Sequence, residues 1–385
     1  MENIKIKSLG PIKEADINFG DLTFFVGPQA SGKSIVLQLI KLINDKTNIE
    51  NKLENYGFVW SNDLDNNVER FFGEGMSDVW NKRTDVEVDG KSFLKSSLLA
   101  KKKNGGLLLD KEKLFYIPAQ RVLCLNFGWP RFFKDFDDSV PYVLRDFSES
   151  IRQFVEANFT HGEPAVFPQK GYGNDQLDQS FDDSIFHGGK ITVEMSARKR
   201  FKLEVGQSSL PFMTWSTGQK EFLPLLLAFY WLCSGKTNRR KGVEYVIIEE
   251  PEMGLHPEAI KSVILQIMHL MSRGYKVIVS THSPVLLEFA WAFNILKAEK
   301  APASAFDSLF DVDRKDKQNT FFHNDLIKKD INTYYFHRIA DSVFVKNISS
   351  LDAGEEDLDI ADWGGLSSFA SRTGEVISNI VAQNG

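Results

Sequence analysis

Leu22-Thr23-Phe24-Phe25-Val26-Gly27-Pro28-Gln29-Ala30-Ser31-Gly32-Lys33-Ser34 is an apolar run that breaks into a glycine-bounded loop and closes on Lys-Ser. Beyond it, Ile35, Val36, Leu39, Ile40 and Ile43 recur at three- and four-residue spacings, the pattern of a helix with one apolar face. The loop matches G-x-x-x-x-G-K-[ST] at every fixed position and sits between the strand and helix that such a loop needs. Gly27, Pro28, Gln29, Ala30, Ser31, Gly32, Lys33 and Ser34 are therefore expected to wrap the phosphates of a nucleotide. Backbone N–H groups turn inward, and the helix points its positive end at the anion. Lys33 is expected on the β- and γ-phosphates and the Ser34 hydroxyl on Mg²⁺.

Two further strand ends point to the same chemistry. Val246-Ile247-Ile248-Glu249-Glu250 is a β-branched run that delivers two carboxylates to its carboxyl end, where open α/β sheets bind ligands. One acid is expected to support Mg²⁺ and the other to take a proton from attacking water, with Glu249 and Glu250 in those respective roles. Glu252 is expected to be a helix-approach or surface acid. Lys276 to Ser280 is a second buried strand, and His282 follows it, placed to bond a phosphate oxygen or a water. Pro257 opens a helix between the two strands and Gly274 closes it, which predicts a right-handed crossover and a largely parallel sheet. Ser216-Thr217-Gly218-Gln219 reads as a capping box at a helix start, a place where N–H groups also meet anions. Pro224, inside that helix, is expected to kink it.

Composition narrows the setting. The chain has 385 residues, 42% hydrophobic and 25% charged, with a formal net charge of -6, which argues against a dedicated nucleic-acid coat. Cys124 and Cys233 have no metal-ligand spacing and suit a reducing compartment. No leader pattern opens the sequence and no apolar window reaches membrane-span length, so a soluble, cytoplasmic protein without a membrane partner is expected.

The remaining stretches are less regular. Residues 45–112 are polar and are expected to be an insertion; LFYI (114–117) returns to strand character before Pro118. Val143 to Phe159 predicts a helix, and ITVEM with FKLEV a hairpin, within a helical or lever region of about 125–215. Residues 1–300 are expected to form one head, and 301–385 an extension packed on it or used for partner contacts. Basic clusters at 101–103, 198–200 and 239–241, and the acidic run after Leu351, are expected to be mostly solvated surface. Asp311-Val312-Asp313 lacks the companion acid of a nuclease centre.

GPQASGKS, YIPAQR, WSTGQKE, VIIEEPEMGLHP and VIVSTHSP, in this order, resemble the ABC-type ATPases of the RecF, SMC and OLD group. Within that group, the chain resembles the stand-alone AAA15/AAA21 ATPases of bacterial anti-phage systems of PARIS or Septu type. The resemblance implies an α/β head with a mixed, largely parallel sheet, an antiparallel β subdomain and helical insertions. It implies that Gln120 senses Mg²⁺ and the γ-phosphate, and that Glu249 is the metal-supporting acid, Glu250 the base and His282 the switch histidine. Ser216, Gly218 and Gln219 would contact ATP held by a second subunit, and 254–257 would lie at that interface. Implied partners are a second copy or a higher homo-oligomer and an effector such as a nuclease or toxin. A DNA-binding repair ATPase of RecF type is the alternative. Two departures stand out: Glu249 replaces the usual Asp, and the long coiled coil of SMC-like members is absent.

Overall fold

A computed structural model describes residues 1–99, 111–160, 165–169, 175–195, 198–234, 239–310 and 326–384. The chain opens on a hairpin, β1 (Asn3–Leu9) and β2 (Ile12–Asn18), and β3 (Leu22–Val26) then runs into the phosphate loop and helix α1 (Lys33–Asn55). Next come α2 (Leu64–Phe72), β4 (Trp80–Val88), β5 (Lys91–Ser92), β6 (Leu114–Ile117) and the small pair β7 (Leu125–Asn126) and β8 (Trp129–Pro130). Helix α3 (Tyr142–Phe159) leads to β9 (Ala165–Phe167), α4 (Asp175–Phe181), β10 (Lys190–Glu194), β11 (Arg200–Val205) and β12 (Ser208–Pro211). Then α5 (Thr217–Cys233), β13 (Tyr245–Glu249), α6 (Pro257–Ser272), β14 (Lys276–Thr281), α7 (Pro284–Ala298) and α8 (Ala303–Phe310) alternate. The chain finishes with β15 (Ile331–Ile339), β16 (Ser342–Asn347), α9 (Leu358–Ala361) and α10 (Ser368–Asn384).

Ten strands form one sheet in the order β5-β4-β1-β2-β16-β15-β3-β14-β13-β6, and β12-β11-β10-β9 make a separate antiparallel sheet. The fold is thus α/β, with a mixed, largely parallel sheet. Its middle strands are buried on both faces, which explains their unbroken apolar runs. Period-two alternation sends Val246 and Ile248 into one core with α3, α5, α6 and α7, and Tyr245 and Ile247 into the other with α1.

Three segments differ from expectation. The stretch 45–112 gives β4, which pairs with β1 inside the main sheet. Beyond residue 300, β15 and β16 lie in the middle of the head's sheet, β15 directly beside β3. Helix α5 runs unbroken through Pro224. Every residue from Phe222 to Cys233 is buried there, and that packing outweighs the lost N–H bond. The cluster 101–103 and Asp311-Val312-Asp313 lie outside the described residues.

A buried ionic staple ties α1 to β6. Lys41, fully buried, donates to Asp45 (2.8 Å), Glu112 (2.6 Å) and the Leu114 carbonyl (2.6 Å). Asp45, where α1 kinks, accepts in turn from the backbone of Lys113 and Leu114. The neighbouring acids hold the Lys41 ammonium charged despite burial, and Lys41 and Lys52 keep Glu112 down at about 2 against its own burial.

Candidate functional site

Register brings the expected residues to one edge. β3, β14 and β13 are parallel neighbours in which Val26 pairs with Thr281 and Ser280 with Glu249. The phosphate loop, His282 and the acid pair therefore leave the sheet at the same level. Gly27 must be glycine: its φ is +145°, and a Cβ there would lie 2.9 Å from the Phe336 carbonyl of β15. At this edge Ala30 (φ +56°) and Glu250 (φ +42°) both take the left-handed conformation without being glycine.

Lys33 is only 6% exposed and folds back on its own loop, donating to the carbonyls of Gly27 (2.8 Å) and Pro28 (2.9 Å). Burial lowers its pKa to about 8, while Glu250, Glu249 and Glu252 pull the other way. Glu249 is buried, and burial raises its pKa; the Ser34 hydroxyl and the Ala119 N–H (3.3 Å) partly offset this. Its Oε1 nevertheless has no hydrogen-bond partner. An unsatisfied buried carboxylate oxygen beside a serine hydroxyl is a donor set that fits a hard divalent cation such as Mg²⁺. Among the described residues there is no cluster of three or more His, Cys, Asp or Glu of metal-binding kind.

Glu250 Oε1 and His282 Nε2 stand 3.6 Å apart. Burial, and then the Lys33 charge, hold His282 below its ordinary pKa, so at pH 7 it is neutral, with one ring N–H and one acceptor. Glu252 is no surface acid. Its Oε1 accepts from the Thr281 hydroxyl (2.7 Å) and the His282 N–H (2.6 Å), which latches the histidine segment to the acid turn. The alternation of β13 ends before Glu252, so strand periodicity gave no hint of this contact.

Gln120 is exposed, and its neighbours Ala119 and Arg121 are the residues that touch the end of β13. Ser216 and Gln219 form the expected capping box, each accepting the other's N–H at 3.2 Å. Gly218 packs against the segment after the acid pair, where a Cβ would meet the Gly254 carbonyl at 2.8 Å. The hydrogen bonds of Ser216 and Gln219 reach Ile185 and each other, and not the phosphate loop. Within one chain, then, Lys33, Ser34, Glu249, Glu250 and His282 converge, and the Ser216 end of α5 stands apart.

Residues 150–288 match the family described as "AAA domain, putative AbiEii toxin, Type IV TA system". The Old nuclease of Escherichia phage P2 is 41% identical over 61 residues, which is 16% of this chain and 10% of that protein. The match thus spans a tenth of the curated relative's length. Among solved structures, the SMC head bound to the C-winged helix domain of ScpA is 12% identical, with a TM-score of 0.44 over 90% of this chain and 96% of that one. The SMC head domain from Thermotoga maritima is also 12% identical, with a TM-score of 0.38 over 90% of this chain and 98% of that one. Over residues 150–288 the chain is thus similar to the AAA family, and with its complete phosphate loop and strand-end acid pair this supports an ABC-type P-loop ATPase of the AAA21/OLD-like group.

Proposed function

We infer that this protein is a Mg²⁺-dependent ATP hydrolase whose nucleotide sites are completed by a second copy of the chain. The observation that carries the reading is the pairing of Glu250 with His282, 3.6 Å apart, just past the ends of β13 and β14, with β14 next to the phosphate-loop strand. Lys33 leaves its own loop carbonyls for the β- and γ-phosphates, exchanging neutral acceptors for anionic ones. Ser34 and Glu249 would hold Mg²⁺, with Gln120 as a further ligand on the outer side; when bound, the ion neutralises charge on the phosphate oxygens. Glu250 takes the proton from the attacking water. Neutral His282 orients that water or donates to a γ-phosphate oxygen, and Glu252 fixes its backbone.

Ser216 and Thr217 are exposed, and no hydrogen bond joins Ser216 or Gln219 to the phosphate loop of their own chain. In this reading Ser216, Gly218 and Gln219 meet ATP held by a partner copy, so binding closes a dimer or higher oligomer and hydrolysis opens it. The output passes to an effector protein, a nuclease or toxin, in defence against phage. The family's toxin–antitoxin description and the phage origin of the Old nuclease support that setting. Within 198–200 and 239–241, Arg200 pairs with Glu194, Lys199 with Glu156 and Arg239 with Glu244, which favours solvated surface over the DNA-binding alternative there. No helix among the described residues is long and apolar enough to cross a membrane.

The test is the mass of Glu250→Gln in solution with and without ATP. A dimer or larger species that forms only with ATP is expected, and the Lys33→Ala variant should not form it. An unchanged mass with ATP for both wild type and Glu250→Gln sinks the two-copy site.

A further inference from the structure

Arg121 is 0% exposed, a costly place for a guanidinium. Its bonds all go to main-chain carbonyls: Nε donates to Glu221 (3.0 Å), and Nη1 to both Glu249 (3.1 Å) and Glu250 (3.2 Å). A single side chain thus joins the first turns of α5, the end of β13 and the turn that carries Glu250. Each junction has a physical need for it. Glu250 sits at φ +42°, a strained conformation for a residue with a Cβ, and a charged donor on its carbonyl helps hold it there. The Glu221 carbonyl, in the turn of α5 that the Pro224 ring crowds, takes Arg121 Nε–H as an added donor from outside the helix.

One further pair of atoms is unmatched. Arg121 Nη2 and Glu221 Oε2 are both buried and both lack a hydrogen-bond partner. Glu221 also lies against Gly254, where a Cβ would come within 3.4 Å of its side chain. Leaving a guanidinium N–H and a carboxylate oxygen unsatisfied is unfavourable, and a small shift of α5 that joined them would relieve both.

We propose that Arg121 is a positioning residue that sets the Glu250 turn and couples it to the Ser216 end of α5, with Glu221 as its second contact. Movement of α5 on meeting a nucleotide is thereby passed to the base. The inference rests on the reading of Glu250 as the base in ATP hydrolysis.

The experiment compares the full-length wild type, Arg121→Lys and Glu221→Gln for kcat, KM, melting temperature and the Kd of a fluorescent ATP analogue. Lysine keeps the charge but cannot bridge three carbonyls in a planar fork. Arg121→Lys should bind nucleotide within about 3-fold of wild type while kcat falls about 100-fold, as expected for a misplacement of order 1 Å. Glu221→Gln, which leaves the carbonyl bonds intact, should lower kcat by about 10-fold with binding and melting unchanged; if Arg121→Lys does not fold, this variant decides. Near-wild-type kcat in the variants, or kcat falling only together with melting temperature and binding, overturns the proposal. Absence of turnover in the wild type removes the hydrolase reading and this inference together, whereas wild-type turnover with unaffected variants removes the inference alone.

Discussion

The Lys33 ammonium is buried within its own loop, and its cost to the folded chain is measurable. Burial brings its pKa from 10.5 to about 8, a displacement equivalent to roughly 3 kcal/mol. The folded value lies below the unfolded one. Between pH 8 and 10.5 the unfolded chain therefore carries a proton that the folded chain has released, and stability rises with pH across that window. Below pH 8 the full penalty is present. Comparing wild type with Lys33→Met cancels the titration of other lysines. In urea melts of metal-free, nucleotide-free protein, wild type should gain up to about 3 kcal/mol on Lys33→Met between pH 7 and 10. The same protonation appears in binding. Phosphates restore the charged form, so calorimetry at pH 9 in two buffers should show uptake of about one proton per ATP. A stability difference that is flat with pH, together with no proton uptake at pH 9, would refute this account of Lys33.

Two substitutions probe the scaffold. Gly218→Ala places a methyl 2.8 Å from the Gly254 carbonyl, so a loss of about 1–3 kcal/mol in urea melts is expected, with ATP turnover reduced as the two segments separate. Lys41→Met strands the carboxylates of Asp45 and Glu112 in the interior and should cost about 3–5 kcal/mol; adding Asp45→Leu should recover part of it. A single Lys41→Met variant as stable as wild type would show that the staple is solvated or replaceable.

The segments read correctly from sequence are those where local pattern and environment agree. The phosphate loop, the capping box of Ser216 and Gln219, and the helix from Pro257 to Ser272 carry their signals within a few neighbouring residues. β13 and β14 are apolar because both faces are covered, so their runs needed no partner to be recognised. Strands β15 and β16 were hidden differently. Their buried aromatic and apolar positions, Tyr334, Phe336 and Val343, share short strands with His337, Arg338 and Lys346, so the average looks polar. Lys346 pairs with Asp357 and Asp359 and His337 with Asp359, which spends part of the acidic run. β4 is similar: its outer positions face solvent and only Trp80 and Val86 are buried. The contacts of Arg121 and Glu252 were out of reach because both bond groups far along the chain, most of them main-chain, which leaves no motif.

Leu22 pairs with Ile331, and Gly27 leans on Phe336. During synthesis, the phosphate-loop strand must wait through the rest of the sheet's strands but β16 before β15, one of its two neighbours, exists. Nascent chains stalled or truncated before β15 should emerge with the loop lacking one wall, and the sheet interrupted between β2 and β3. Closure over so long a separation is slow. Completion of the loop's wall thus depends on the docking of β15 on β3, and is expected to come late in folding.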